Sequence, residues 1–502
     1  MLYNEETWFK FSDKVQQDFK AKKYLHFDTP FDFAKKKNEI QKVLSDPSNV
    51  ARHAFLPLLK FDIKFPRFKF DGKESLIDKL SAKERKSYYK LIYSFYSFAL
   101  NERYQHYIKT IGIDQSILAY RTDLNGKCNI QFAKTIFDEI ANRGPCVAIA
   151  MDIKGYFDSI DHLLLKEQWC KVIDRDRLPI DQYAIFKSLT KYQYVNKNNL
   201  LKHFKIDLKN TNKKKTILQL LELKIPGSTP TEKYNYLRQH SLIHKSESHS
   251  FDGGKKRFFG IPQGTSISAQ LSNIFLLDFD KEIVNYCDNT NSKYWRYCDD
   301  LIVITEENKA EDTLAFVKAE IGKYFLEIQC AKTEIIQFKQ NSKGRFRSYN
   351  YKKILQSDSK SKLADEQRYY KSLQYLGFSF NGKNITIRPG TLSRYFIKLK
   401  KRITKTVWMA YSDKSKSDKI HKQQLFHRYT HLGKRNFLSY MYRASKDNYK
   451  NQRGQLKEGL DSPAIRKQVK RHFSIMIEEI KKTSIKRAIH KAKKGKLKAI
   501  KL

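Results

Sequence analysis

The stretch from Lys293 to Thr305, which reads KYWRYCDDLIVIT, constrains the fold more than any other part of the chain. Apolar and aromatic residues flank its acidic pair, Asp299 and Asp300, on both sides. Short β-prone runs around a polar tip predict two strands joined by a turn. Two carboxylates at the tip of an apolar hairpin are costly unless a positive charge neutralises them. An ordinary solvated turn is the alternative, and the apolar flanks count against it. We therefore expect the pair to bind a cation together with a third carboxylate from elsewhere in the chain.

The charge of the chain indicates a polyanionic partner. Its 502 residues include 98 lysines and arginines against 53 acids, a formal net charge of +45. Such a field attracts nucleic acid first. A membrane surface is the second candidate, and the lack of a long basic helix with a continuous apolar face disfavours it. An apolar content of 40% excludes a largely disordered chain, and the length allows two or three domains.

The sequence predicts a cytoplasmic protein without a membrane segment. It contains no apolar run of roughly eighteen residues, and the first residues, MLYNEETWFK, carry acids where a secretory peptide needs an apolar core. The six cysteines form neither CxxC nor Cys/His clusters. This pattern indicates reduced thiols rather than disulfides or structural zinc.

A second acidic position follows the run CVAIAM, Cys146 to Met151. A continuous apolar run of this length predicts a strand buried on both faces. Asp152 closes this strand, where a charge is costly unless it is functional or paired. Asp158 and Asp161, a few residues later, have the pattern of capping or structural acids at a helix start. We therefore expect Asp152 to supply the third carboxylate.

Helical and hairpin patterns fill the rest of the chain. For the aromatic stretch Glu84 to Tyr107, a helix packed on a core is favoured over a base-stacking surface. The other predicted elements, in chain order, are a polar insertion at about 196–256 with a helix over 216–223, a helix over 269–279 after GIPQGTSIS, a helix over 311–326, a loop over 342–367, a hairpin around Asn381-Gly382, a helix over 391–411 and a basic helical tail.

Three carboxylates meet if the strand that ends at Asp152 neighbours the acidic hairpin. Hard oxygen ligands of this kind suit Mg²⁺. Two Mg²⁺ ions held there would lower the pKa of an attacking hydroxyl and neutralise the charge that builds on phosphorus and on leaving pyrophosphate. The pattern therefore predicts a site that meets the requirements of phosphoryl transfer.

These motifs resemble those of a known polymerase family. Asp152 with Phe157-Asp158, then GIPQGTSIS with Asn273, then YCDD, is similar to the palm of a reverse transcriptase of the group II intron and retron lineage. LAYR resembles the fingers motif, CAKT the motif after the acidic hairpin, YLGFSF the primer grip and RPGTLSRYFIKLKKRI the first thumb helix. The resemblance covers residues 55 to 410.

The resemblance implies an α+β fold, the right-hand polymerase with an antiparallel palm sheet, helix-rich fingers and a helical C-terminal thumb and extension. The implied domains are an N-terminal extension with fingers at 1–145, a palm at 146–390 that carries the insertion, and a helical thumb with a basic extension at 391–502.

The resemblance also assigns roles to single residues. Asp152 and Asp299 would bind both Mg²⁺ ions, Asp300 would support them, and the Ile153 carbonyl would complete one metal shell. The residues implied to contact the nucleotide are Arg121 on triphosphate oxygens, the backbone near Tyr156, Phe157 as a steric gate against a ribose 2′-OH, Gln263 and Gly264 on the nascent base pair, and Lys332 as general acid for pyrophosphate. An aromatic gate favours deoxynucleotides and hence a DNA product.

Residues 434–472 resemble the C-terminal helices of bacterial defence-associated and abortive-infection reverse transcriptases, and we expect no maturase-like DNA-binding domain, endonuclease or RNase H after the thumb. This implies anti-phage DNA synthesis from a dedicated structured non-coding RNA, with RNA, nascent DNA and dNTPs as partners and a homo-oligomer as the assembly. Template-independent, protein-primed DNA synthesis is the alternative of the same chemistry. A non-catalytic RNA-binding protein with a polymerase fold is the alternative of another class.

Overall fold

The computed structural model describes residues 2–18, 33–68, 74–83, 88–206, 224–246, 248–252, 254–356, 366–412, 415, 419–451 and 454–493. These residues form an α+β fold. Its strands pair mostly antiparallel, and its helices cover the sheets or follow them along the chain.

The described strands and helices alternate irregularly along the chain. The strands are β1 Leu58–Phe68, β2 Glu74–Lys83, β3 Cys146–Asp152, β4 Gln193–Asn196, β5 Ile243–Lys245, β6 His249–Asp252, β7 Lys255–Phe258, β8 Lys293–Tyr297, β9 Asp300–Thr305, β10 Glu334–Gln340, β11 Phe346–Asn350, β12 Leu373–Tyr375, β13 Phe378–Phe380, β14 Ile385–Ile387, β15 Asn448–Lys450 and β16 Leu456–Glu458. The α-helices are Glu5–Asp18, Phe33–Ser45, Pro47–Ala51, Tyr88–Thr110, Asn129–Arg143, His162–Val172, Ile180–Thr190, Lys197–His203, Pro230–Gln239, Ser268–Phe275, Leu277–Asn289, Ala310–Gly322, Tyr351–Leu355, Pro389–Ala410, Gln423–Tyr429, Phe437–Ala444, Pro463–Val469 and His472–Ala492.

A five-stranded sheet with the order β11-β10-β3-β9-β8 lies at the centre of the fold, and all its neighbouring strands are antiparallel. Its middle strand, β3, is buried along its length up to Asp152. Because alternate side chains of a strand point to opposite faces, Val147 and Ile149 join one core, and Cys146 and Ala148 join the other. The prediction of a strand buried on both faces is confirmed.

Helices cover both faces of the central sheet. Ser268–Phe275, Leu277–Asn289 and Ala310–Gly322 contribute to the core on one face, and Asn129–Arg143 to the core on the other. Tyr88–Thr110 also belongs to the first core, through buried residues that include Ile92, Phe95, Tyr96, Tyr104 and Ile108. The prediction that this aromatic helix packs on a core is therefore confirmed.

A second sheet, with the order β2-β1-β4-β5, joins the N-terminal hairpin to the segment predicted as an insertion. A small core of its own includes Leu59 of β1 together with Val195, Leu200 and Leu237. The described residues of the segment 196–256 thus include a lobe that packs on β1. The helix predicted over 216–223 lies outside the described residues.

Two predictions of local structure are wrong. The stretch 342–367, predicted as a loop, contains β11, which is the edge strand of the central sheet, and the helix Tyr351–Leu355. Its polar composition fits an edge strand, whose outer side faces solvent. The single helix predicted over 269–279 is two helices, because the chain leaves helical geometry at Leu276.

The C-terminal part is a small sheet followed by helices. β12, β13 and β14 form a three-stranded antiparallel sheet, and Pro389–Ala410 follows it with Leu399, Ile403 and Val407 buried at helical spacing. The prediction of an amphipathic helix at this position is confirmed. Across the described ranges, no helix combines the length and the apolarity that crossing a bilayer requires.

Candidate active site

The acidic pair lies at the turn between β8 and β9. Tyr297 and Asp300 are opposite each other, and Cys298 and Asp299 form the two-residue connection. Cys298 has a φ of 60°, a conformation uncommon for a residue with a side chain. The prediction of a strand–turn–strand unit from Lys293 to Thr305 is confirmed.

The end of β3 is directly opposite the start of β9. The register pairs Asp152 with Asp300, and the Ile153 amide donates to the Asp299 carbonyl at 3.0 Å. This pattern makes Asp152 and Asp300 a non-hydrogen-bonded pair, in which opposite Cα atoms are only about 4.5 Å apart. The backbone therefore brings three carboxylates from two distant segments to one end of the sheet.

The electrostatics of this end of the sheet are unfavourable for three negative charges. Burial, followed by repulsion from Asp299 and Asp152, raises the pKa of Asp300 to about 6. Arg388 and Lys332 act in the opposite direction on this pKa. The Lys332 ammonium also forms an ion pair with Asp152 Oδ1 at 2.6 Å. Nearby cations thus compensate the acidic cluster only in part.

Asp300→Asn is expected to stabilise the metal-free protein at neutral pH. The pKa of Asp300 is above its ordinary value of 3.8 when the chain is folded, so the folded state binds more protons than the unfolded state between about pH 4 and pH 6. Stability therefore falls as pH rises through this window. Asp300→Asn does not lose stability in this way, because its side chain does not titrate. It should be more stable than wild type at about pH 7, by up to roughly 3 kcal/mol, and as stable as wild type near pH 4. Urea unfolding in EDTA measures this difference.

Asp288→Asn is the matched control, because Asp288 is an exposed acid on the helix Leu277–Asn289. This control should not be more stable than wild type at neutral pH. Equal stability of wild type and Asp300→Asn at neutral pH would contradict the cluster electrostatics.

The oxygen donors at this end of the sheet suit a hard divalent cation. The carboxylates of Asp152, Asp299 and Asp300 and the Ile153 carbonyl are ligands of the type that Mg²⁺ prefers. Within the described ranges, no hydrogen-bond donor reaches the Ile153 carbonyl, which leaves it available as an acceptor. In the same ranges, no three His, Cys, Asp or Glu side chains are grouped as a ready metal site.

A fully buried ion pair lies beneath the hairpin. Arg296 of β8 and Asp280 both have side chains that are 0% exposed. The Arg296 Nε donates to Asp280 Oδ1 at 2.7 Å, and its Nη1 donates to the Cys298 carbonyl and to Asn273 Oδ1, each at 3.2 Å. Tyr294 also donates its hydroxyl to Asp280 Oδ1, at 2.8 Å. Arg296 therefore holds the backbone of the turn that presents Asp299.

The same arginine connects the hairpin to the segment that precedes the helix Asn129–Arg143. Its amide donates to the Ser116 carbonyl at 2.8 Å, and its carbonyl accepts from Leu118 at 2.9 Å. Asn273 donates to the Ala119 carbonyl at 2.8 Å. Sequence reasoning missed Arg296, although a charged residue within the apolar run KYWRY was a signal that it has a buried partner.

The structure places the Arg121 side chain in a buried hydrogen-bond network. Its side chain is 1% exposed. Its guanidinium donates to both Asp123 oxygens, at 3.0 and 2.7 Å, and to the carbonyls of Asp114 and Ile117. These partners satisfy the charge and most of the donors, so Arg121 stabilises its own loop. The expectation that it binds triphosphate oxygens stays a prediction.

The loop after β3 is joined to the GIPQG segment. Tyr156 is buried and donates its hydroxyl to the Ser272 carbonyl, and the half-buried Phe157 accepts from the Ile261 amide through its carbonyl, at 2.9 Å. Gly260 has a φ of 90°, and a Cβ there would lie 3.1 Å from the Asp158 carbonyl oxygen. A glycine is therefore required at this close approach.

Gln263 and Gly264 occupy the loop before the helix Ser268–Phe275. Gln263 is half-buried and Gly264 is exposed with a φ of 103°. Ser268 fixes the loop, because its hydroxyl donates to the Pro262 carbonyl at 2.6 Å. The loop thus presents Gly264 to solvent on a rigid base.

Asp161 is a capping acid, as predicted. It is the N-cap of His162–Val172 and accepts from the amides of Leu163 and Leu164, both at 2.9 Å. Arg257 donates to its second oxygen at 2.9 Å. Asp161 is thereby fully engaged in the structure, which separates it from the acids at the end of β3.

The chain matches a known protein family. Residues 99–380 match the family described as "Reverse transcriptase (RNA-dependent DNA polymerase)". No curated protein sequence matches the chain.

Solved structures of telomerases are similar to this chain at low identity. An apo telomerase from Candida tropicalis, truncated from its C-terminal domain, is 14% identical, with 67% of this chain and 56% of that chain covered and a TM-score of 0.31. A telomerase from Candida albicans in complex with a TWJ fragment of telomeric RNA is 12% identical, with 90% and 66% covered and a TM-score of 0.35. The chain thus spans 56% and 66% of these two relatives.

Proposed function

Because the chain belongs to the reverse transcriptase family, which it matches over residues 99–380, we propose that it is an RNA-directed DNA polymerase. The observation that carries this proposal is the register of β3 and β9, which sets Asp152 opposite Asp300 beside the turn that contains Asp299. In the proposed reaction, a primer 3′-oxygen attacks the α-phosphorus of a dNTP, the new phosphodiester bond forms, and pyrophosphate leaves.

The proposed cofactor is a pair of Mg²⁺ ions, which when bound lower the pKa of the 3′-hydroxyl and neutralise the charge on pyrophosphate. Asp152, Asp299 and the Ile153 carbonyl would hold the ions, and Asp300 would support them. The Lys332 ammonium, which lies 2.6 Å from Asp152, donates its proton from Nζ to the departing pyrophosphate. This proton balances the one that leaves the 3′-hydroxyl.

Nucleotide selection is proposed for the loop after β3 and for the GIPQG segment. Phe157 excludes a ribose 2′-OH, which makes DNA the product, and the backbone near Tyr156 contacts the triphosphate. Gln263 and Gly264 pack on the nascent base pair. The hydrogen bond between Phe157 and Ile261 supports this division of roles, because it ties the two segments into one surface.

RNA is the proposed polyanionic partner, with nascent DNA and dNTPs as the other substrates. The excess of 98 basic over 53 acidic residues supports this assignment. In the proposed domain division, residues 1–145 are the N-terminal extension and fingers, 146–390 the palm and 391–502 the thumb and extension. The lobe at 196–256 is an elaboration of the palm.

A role in bacterial anti-phage defence is proposed from the resemblance of residues 434–472, with a dedicated structured non-coding RNA as template in a cytoplasmic homo-oligomer. The use of an RNA template is tested by purifying the protein from its native host and sequencing the DNA that it makes. A fixed product that matches a co-purified RNA supports templated synthesis. Random sequence, or DNA linked to a protein hydroxyl without a complementary RNA, would instead indicate template-independent, protein-primed synthesis.

A further inference from the structure

A furrow runs between the helices Pro389–Ala410 and His472–Ala492, which share an apolar core. The furrow has a volume of about 330 Å³, and its lining includes Thr404, Trp408, Glu479, Lys482, Lys486 and Arg487. Ligand sites in proteins typically enclose roughly 300–1,000 Å³. The furrow is therefore large enough to receive part of a second molecule.

The lining of this furrow is positively charged. Lys482, Lys486 and Arg487 contribute three cations, and both lysines are exposed. The acid in the lining, Glu479, forms an ion pair with Lys400 at 3.7 Å. A surface with this balance attracts an anion.

An exposed aromatic ring lies among these charges. Trp408 is 53% exposed, whereas Trp8, Trp169 and Trp295 are buried at 4%, 0% and 8%. The Arg487 guanidinium lies 4.5 Å from the centroid of the Trp408 ring. Within the described ranges, the buried Nε of Arg487 has no hydrogen-bond partner. Cationic side chains beside an exposed ring are the means by which proteins hold single-stranded nucleic acid.

We propose that this furrow binds a single-stranded RNA segment, with a base stacked on Trp408 and phosphates held by Lys482 and Lys486. The inference rests on the proposed function in one respect, that RNA is the partner of this protein. The charge and the exposed ring together favour RNA over an apolar peptide or a second copy of the chain. Either of these alternatives would leave the lysines unpaired.

The furrow is remote from the carboxylates. Arg388, at the start of the same helix, is close enough to Asp300 to lower its pKa. Trp408 follows roughly 20 residues later, which is about 30 Å along the helix at 1.5 Å per residue. RNA in the furrow is thus held by a site separate from the site of synthesis.

Tryptophan fluorescence tests this proposal directly, because three of the four indoles are buried and Trp408 dominates quenching by solutes. In full-length protein, addition of a single-stranded oligoadenylate should quench the emission and should shield the remaining exposed indole from acrylamide. Lys482→Gln/Lys486→Gln should lower the slope of log affinity against log salt by about 1.4, because each phosphate contact on a single strand contributes about 0.7.

Lys467→Gln/Lys470→Gln is the matched control. It removes two exposed lysines outside the furrow, and the quenching and its salt slope should stay at the wild-type values. Oligoadenylate that binds wild type by anisotropy without quenching it would overturn the proposal, and so would equal effects of the two double variants. These readouts need no variant of Trp408 itself.

Two further outcomes separate this inference from its competitors. Asp299→Asn should lose nucleotide incorporation and keep the quenching. Wild-type protein that quenches but never incorporates nucleotides would refute the proposed function and leave the furrow proposal standing. Light scattering tests for a second copy of the chain. A dimer that dissociates in Trp408→Ala, with acrylamide protection present before RNA is added, would overturn the RNA assignment.

Discussion

Asp299→Asn is expected to abolish deoxynucleotide incorporation and to leave the fold intact. We expect a loss of at least about 10³-fold, because a bound metal supplies several kcal/mol of charge stabilisation in the transition state and each 1.36 kcal/mol corresponds to a factor of about ten. Stability should not fall, because Asp299 contributes to the repulsion that raises the pKa of Asp300. Single-turnover incorporation on a primer–template with Mg²⁺, together with urea unfolding of the same samples, measures both quantities.

Asp288→Asn is the control for this substitution, because it makes the same chemical change at an exposed position. It should incorporate at the wild-type rate. In a bacterial host challenged with phage, loss of protection should accompany loss of incorporation for Asp299→Asn. If Asp299→Asn incorporated nucleotides within about tenfold of the wild-type rate, Asp299 would have no role in catalysis. Protection without incorporation would favour the non-catalytic RNA-binding alternative.

Arg296→Met is expected to destabilise the protein by about 3–5 kcal/mol and also to reduce incorporation. The cost in stability is that of leaving Asp280 as a buried, unpaired carboxylate. The cost in activity has a separate cause, because the Cys298 carbonyl loses the donor that holds the turn beside Asp299. The free energy of unfolding in urea and the rate constant of incorporation report these two effects independently.

A double variant separates the structural effect from the positioning effect. Asp280→Leu/Arg296→Met removes both buried charges, and stability should recover much of the loss, since apolar replacements of a buried pair are often neutral. Incorporation should stay low, because Met cannot donate to Cys298. Lys36→Met, which breaks an exposed ion pair with Glu39, should change neither quantity much. A double variant with the wild-type rate would show that Arg296 serves stability alone.

The elements that the sequence predicts well are those decided by local pattern. The apolar run that forms β3, the hairpin around Asp299 and the N-cap at Asp161 each depend on residues within a short window. In each case the residues that determine the structure, through burial or hydrogen bonding, are close together in the sequence. The structure places these elements close to where their patterns predict them.

The elements that the sequence does not predict depend on pairing between distant segments. β11 became an edge strand because β10 offers it a partner, although its own composition is that of a loop. The sheet that joins β1 to β4 and β5 has no local signal of register. The roles of Arg121 and Arg296 are not decided by local sequence for the same reason. An arginine's role depends on which acid or carbonyl the fold brings to it.

The central claim is that Asp152 and the hairpin acids hold divalent cations together, and anomalous diffraction from crystals soaked with Mn²⁺ tests it most directly. With a primer–template and a non-hydrolysable dNTP analogue bound, we predict Mn²⁺ peaks in contact with both Asp152 and Asp299, near the Ile153 carbonyl. Crystals of Asp299→Asn should lose occupancy at these peaks. Mn²⁺ bound elsewhere, with Asp152 still paired to Lys332 and no peak shared with Asp299, would contradict the claim.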